Sequence, residues 1–131
     1  MTNKALVAKY YEMWNSQKFD VANIIFSDDI HFHGSIGIET VGIEQFKGYA
    51  NTILGAFPNL YHAVEIVVAE DSLVAVYVTY SGTHKGKLFE YEPTNNRINY
   101  SGASFFTIKD GKITDIKVLG DRYSLYSQIN S

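Results

Sequence analysis

The tightest constraint in this chain is the dipeptide Asp110-Gly111, set between Phe105-Phe106-Thr107-Ile108-Lys109 and Lys112-Ile113-Thr114-Asp115-Ile116. A two-residue type I′ turn needs positive φ at both central positions, which Gly adopts freely and Asp tolerates better than most residues. The segment therefore predicts a hairpin of long strands from Asn99 to about Asp121, with a short helix after it. Counting outward from a two-residue loop pairs Lys109 with Lys112, Ile108 with Ile113, Phe106 with Asp115, Ser104 with Lys117, Gly102 with Leu119 and Tyr100 with Asp121. Alternation of side chains then puts Tyr100, Ser104, Lys117 and Asp121 on one face, beside Phe106, Ile108, Ile113 and Leu119. Ala103, Phe105, Ile116 and Val118 share the other. A phenol, a hydroxyl, an ammonium and a carboxylate among apolar residues have the composition of a small-molecule pocket. A single bulge in either strand would exchange the partners.

Upstream, Thr2 or Asn3 can cap a first helix running to about Gln17, with Val7, Tyr10, Tyr11 and Trp14 on one stripe and Leu6 and Met13 widening it. Such a stripe is what a core-facing helix shows. Trp14 and the two tyrosines, Tyr10 and Tyr11, could still line a cavity where the helix crosses a sheet. Asp20 is placed to cap a short helix from Val21 to about Phe26. Asp29 to Ser35 reads as a strand with Ile30 and Phe32 against His31 and His33. His-x-His on a strand can offer two imidazoles to one metal, or leave a histidine at a pocket edge or at the surface. Nothing nearby completes a ligand triad, so no metal site is assigned, and His62 and His84 stand alone.

A third helix begins after Gly42, carries Ile43, Phe46, Ala50, Ile53, Leu54 and Phe57 on one face, and stops before Pro58. From Tyr61 the period is two, with Val64, Ile66 and Val68 set against His62 and Glu65. Leu73 to Tyr80 is apolar on both faces, as in a strand covered on both sides. A looser segment with Phe89, Tyr91, Pro93 and Asn95-Asn96 leads into the hairpin, and Arg122 to about Ile129 forms the last helix. Helices first and a meander of long antiparallel strands after them predict an α+β fold. A curved sheet wrapped over helices would enclose a cone open at one end.

Bulk composition narrows the function classes. A chain of 131 residues is expected to form a single domain over residues 1–131. Ten Tyr and eight Phe point to aromatic-lined packing, a cavity or an aromatic interface. A net charge of −3 without a basic run argues against nucleic acid as a partner. The absence of cysteine excludes disulfides, thiolate metal sites and thiol nucleophiles. Lys4, Lys9 and Glu12 interrupt the early apolar residues and no later run is long enough to span a bilayer, so the expectation is a cytoplasmic protein without a membrane partner.

The order of elements and several local words resemble the SnoaL-like polyketide and ester cyclases of the nuclear-transport-factor-2-like superfamily. The words are Gly42-Ile43-Glu44-Gln45-Phe46, Ala56-Phe57-Pro58-Asn59-Leu60, Gly82-Thr83-His84-Lys85-Gly86, Pro93-Thr94, Asp110-Gly111-Lys112-Ile113, and the closing Asp121 with Leu125 and Gln128. The resemblance covers nearly the whole chain. It implies a cone-shaped, cystatin-like α+β barrel with an internal apolar pocket, a homodimer formed through the outer face of the sheet, and no cofactor. It also implies that Asp121, at the end of the last strand, is a general acid/base in an intramolecular aldol ring closure. Two positions depart from the family pattern. Lys117 stands where a tryptophan is common, and Asn95 replaces the glycine of a Pro-Thr-Gly turn, so no particular substrate carries over.

Ring closure needs a base for a proton α to a carbonyl, donors for the enolate oxygen, and an acid for the new alkoxide. Asp121 is the expected catalytic residue, and Trp14, Tyr11, His33, His84, Tyr100 and Lys117 are the expected pocket residues for a small hydrophobic substrate. Asp121 could instead pair with Lys117 or Arg122, or cap the last helix. In that case the same cone would serve as a non-catalytic module for ligand binding or dimerisation.

Overall fold

The cap expected at the start of the chain forms. Thr2 accepts the Ala5 N–H at 3.1 Å and opens α1 (Asn3–Ser16), which ends where Gln17 turns left-handed at φ 59. A computed structural model describes residues 1–131 and continues with a 3₁₀ turn (Phe19–Val21), α2 (Ala22–Ile25), β1 (Phe26–His33), β2 (Glu39–Val41) and α3 (Ile43–Ala56). Four long elements follow, β3 (Tyr61–Glu70), β4 (Leu73–Thr83), β5 (Arg97–Lys109) and β6 (Lys112–Gly120), before the final α4 (Arg122–Ile129). The expected second helix is shorter than the sequence suggests, because Phe26 already belongs to β1. No helix is long and apolar enough to cross a membrane.

The strands form one open sheet in the order β2-β1-β6-β5-β4-β3. The long strands make the expected antiparallel meander, but β1 runs parallel to β6, so the sheet is mixed. α1 and α3 pack on its concave side. One core joins Leu6, Val7, Tyr10, Met13 and Trp14 of α1 to Phe46, Ala50 and Ile53 of α3 and to Val74, Val76, Val78, Phe106 and Ile116 of the strands. This is the α+β cone the sequence predicts, with helices closing one side of a curved sheet that does not close on itself.

The hairpin turn is as expected, with Asp110 at φ 51 and Gly111 at φ 74 and with Lys109 opposite Lys112. The register beyond it is not. Ile108 still faces Ile113, but Thr107 then faces Asp115, leaving Thr114 as an extra residue whose hydroxyl bonds the Thr107 carbonyl at 3.3 Å. A one-residue shift sends every later side chain of β6 to the opposite face. Phe106 therefore faces Ile116, Ser104 faces Val118 and Gly102 faces Gly120 on the concave side, while Lys117 and Leu119 point outward opposite Phe105 and Ala103. Tyr100 and Asp121 are consequently not cross-strand partners; the Asp121 N–H bonds Ser101 O at 3.0 Å.

A second bulge sits on β3, where Val64 faces Val78 but Ile66 faces Tyr77, leaving Glu65 unpaired. It turns Ile66 and Val68 to the convex side. There they complete an apolar surface with Leu73, Tyr77, Phe105 and Leu119, all more than 40% exposed.

Candidate functional site

The concave side of the sheet and the two long helices enclose an aromatic cavity. α1 supplies Tyr10, Tyr11 and Trp14, and α3 with the turn after it supplies Tyr49, Ile53, Phe57 and Leu60. The strands add Phe32, His62, Tyr80, Tyr100, Ser104 and Val118, and Ser35, Ile36, Leu88 and Leu125 close the ends. Each strand residue arrives by alternation. Tyr80 is in phase with buried Val74, Val76 and Val78, and His62 faces Tyr80 across the β3–β4 pair. The free space is about 30 Å³. That holds about two waters, against roughly 300–1,000 Å³ for a drug-sized ligand. The enclosed form is thus narrow, and a ligand of that size must displace ring side chains to enter.

The polar groups inside are held neutral. Burial lowers the His62 imidazole from its ordinary 6.5 to about 3. Its ring packs at 4.9 Å from Trp14, 5.1 Å from Tyr80 and 5.8 Å from Tyr11. Asn15 pins the same residue's backbone, giving its amide to His62 O at 3.0 Å and accepting the His62 N–H at 2.8 Å. Burial likewise raises the phenols of Tyr10, Tyr11, Tyr49 and Tyr80, and pushes Tyr100 up to about 12. Ser104 beside Tyr11 and Trp14 beside Tyr10 offset part of this effect, yet neither the Ser104–Tyr11 nor the Trp14–Tyr10 contact is a hydrogen bond of good geometry.

His62 makes a testable contribution to stability. Between pH 6.5 and about 3 the unfolded chain takes up a proton that the folded chain refuses, so stability rises with pH across that window and is lost as pH falls through it. From pH 7 to 5 the loss is roughly 2 kcal/mol. His62→Gln, which stays neutral, should flatten the change when urea unfolding is measured at both pH values. Equal pH dependence in the two proteins would contradict the buried neutral imidazole.

Of the residues expected from sequence, Tyr11, Trp14 and Tyr100 line the cavity and four others do not. Lys117 is on the convex face, exposed. His33 pairs through Nδ1 with Glu39 at 2.6 Å, at the β1–β2 edge. His84 is buried one layer behind the cavity wall, its ring 5.5 Å from Phe57 and its Nδ1 3.0 Å from Thr94 Oγ1. Asp121 is exposed, and its Oδ1 caps α4 by accepting the Ser124 N–H at 3.0 Å. Its neighbour Gly120 packs against Ser35 and Tyr100, two residues that do line the cavity. His62, Tyr49 and Tyr80 are lining residues that sequence reasoning did not select. For Tyr80 the available signal was parity, since it shares its phase with Val74, Val76 and Val78. The structure brings together no group of three His, Cys, Asp or Glu side chains able to hold a metal.

Comparison with known proteins places this geometry. The family model for SnoaL-like polyketide cyclases matches residues 4–129. A candidate SnoaL-like polyketide cyclase from Jannaschia sp. CCS1 is 21% identical and superposes with a TM-score of 0.91 over 98% of this chain and 92% of that one. IdmH, a candidate polyketide cyclase from Streptomyces antibioticus, is 19% identical with a TM-score of 0.87 and full coverage of both chains. AclR, a candidate hydroxylase from Streptomyces galilaeus, is 25% identical with a TM-score of 0.83 over 97% and 80%. No protein of curated function matches the sequence. One architecture therefore carries different ascribed chemistries, and the residues of the site have to decide between them.

Proposed function

Because the chain belongs to the SnoaL-like polyketide cyclase family, we propose that it is a cofactor-independent acid/base catalyst acting on a small hydrophobic carbonyl compound, by intramolecular aldol ring closure or a related isomerisation. The observation that supports this most is the enclosed aromatic cavity, whose polar groups are phenols, hydroxyls, an indole N–H and a neutral imidazole. Such a site binds an uncharged, flat substrate and offers hydrogen bonds to an oxygen on which charge develops.

In this reading Asp121 is the proton acceptor and Tyr100, on the cavity wall, a donor. Catalysis by Asp121 requires its carboxylate to exchange the Ser124 N–H for the ligand, since it now serves the helix terminus. That capping bond favours a second reading, a ligand-binding module without turnover. Exchange of the α-protons of small hydrophobic ketones in D2O, followed by NMR, separates the two. The enzyme should accelerate exchange well beyond buffer, whereas binding without acceleration would leave the module.

The family's homodimer is proposed here through the convex face. Leu119, Ala103, Tyr77 and Ile66 form one row across four strands, and Lys117, Phe105, Ala75 and Val68 form the next. Exposed apolar area of this continuity marks an interaction surface, and a second copy buries it isologously. Light scattering should give a dimer mass at micromolar concentration and a monomer for Phe105→Asp. A monomeric wild type would end this proposal.

A further inference from the structure

Tyr11, Trp14 and His62 are 3, 2 and 6% exposed, and each carries a buried polar atom without a hydrogen bond of good geometry: the phenol Oη, the indole Nε1 and the imidazole Nδ1. All three line the same cavity. A buried polar atom without a partner is costly and uncommon. Three on residues that line one void leave the folded chain with unused hydrogen-bonding capacity in its wall. We propose that these residues form an oxygen-binding pole that takes a neutral ketone, enol or hydroxyl and rejects carboxylates.

The chemistry of the trio defines the ligand. An indole N–H only donates, a phenol donates or accepts, and a neutral imidazole donates at one nitrogen and accepts at the other. Together they can give two or three hydrogen bonds to a carbonyl oxygen, or accept one from a hydroxyl. What they lack is a counter-charge. No Lys or Arg lines the cavity, and the burial that suppresses ionisation of its phenols would penalise a carboxylate in the same way.

Around His62 the facing groups are Tyr11 and Trp14 from α1 and Tyr80 from β4. Lys4 and Glu12 are not among the residues that line the cavity. With Tyr11, His62, Tyr61, Val64 and Val67 they line an outer groove of about 720 Å³ between α1 and β3. Tyr11 and His62 belong to both spaces, so the pole lies where the cavity wall meets this groove.

The inference rests on the cavity being the ligand site, as proposed above, and its test is independent of turnover. Cyclohexyl methyl ketone and cyclohexanecarboxylate share a ring and differ in charge, and calorimetric titration gives the affinity of each for the intact protein. At pH 7 the ketone should bind at least about tenfold more tightly, the imbalance expected when one ligand must bury an unpaired charge. Lowering the pH to 5 should tighten apparent binding of the acid, as more of it becomes neutral, and leave the ketone unchanged because His62 stays uncharged. Tyr11→Phe should weaken the ketone by roughly 3–10-fold, the worth of one hydrogen bond. The same variant should raise Tm by roughly 2–5 °C by removing an unsatisfied hydroxyl. A purely structural Tyr11 would not lose affinity while gaining stability. The inference is overturned by a carboxylate that binds as tightly as the ketone at pH 7, by ketone affinity unchanged in Tyr11→Phe, or by no binding of either probe at millimolar concentration. Ketone binding that needs Tyr11 but brings no α-exchange would sustain the pole and sink the catalytic reading.

Discussion

Asp121→Asn is expected to lower α-proton exchange by roughly 10²–10⁴-fold, the usual contribution of a general acid/base group. Folding should be almost unaffected, because the residue's structural task survives the change. Asp121 caps α4 with one bond to the Ser124 N–H, and Asn caps a helix about as well as Asp. An amide oxygen accepts that N–H but cannot take a proton at neutral pH. The combination of lost exchange, retained Tm and retained ketone binding is therefore specific to a catalytic carboxylate. Unchanged exchange on a substrate the wild type processes would remove Asp121 from the chemistry. It would leave its carboxylate with the helix cap alone.

The largest expected effect on stability belongs to Phe106→Ala. Phe106 is fully buried, faces Val74 and Ile116 on the neighbouring strands, and meets the rings of Tyr10 at 5.1 Å and Tyr11 at 5.9 Å. Truncation loses the transfer energy of the ring and leaves a hole between α1 and the sheet, which costs about 3–5 kcal/mol. For a chain of this size that is roughly a 10–20 °C fall in Tm, a large part of the total stability of an ordinary domain. Urea unfolding followed by circular dichroism measures it directly. A cost below about 1 kcal/mol would mean that the helix–sheet core is not packed through Phe106.

The sequence made the architecture legible because each element carries its own local signal. Thr2 caps, Pro58 stops a helix, Asp110-Gly111 turns a hairpin, and the valines of β4 alternate in one phase. Long-range register carries no such signal. Thr114 and Glu65 are ordinary strand residues, and nothing local shows that each stands unpaired. The Thr114 bulge moves Lys117 from an expected pocket position to the convex face and separates Asp121 from Tyr100. The turn before it is nevertheless as expected. For the site, α1 was the readable part, because Tyr11 and Trp14 lie on a stripe that must face the core. His62 was harder to select, since a lone histidine on a strand looks the same whether it is solvated or buried among Trp14, Tyr80 and Tyr11. The parallel pairing of β1 with β6 joins segments about 85 residues apart, and no local pattern encodes it.

The claim on which the rest depends is that the ligand lies inside the aromatic cavity, between α1 and the concave side of the sheet. Nuclear Overhauser contacts from the protons of bound cyclohexyl methyl ketone to assigned ring protons test it most directly. Contacts to Trp14, the only tryptophan in the chain, together with Tyr80 and His62, are the predicted result. Contacts confined to the convex-face side chains of Tyr77, Phe105 and Leu119, or to Tyr61 and Val64 in the outer groove, would contradict it.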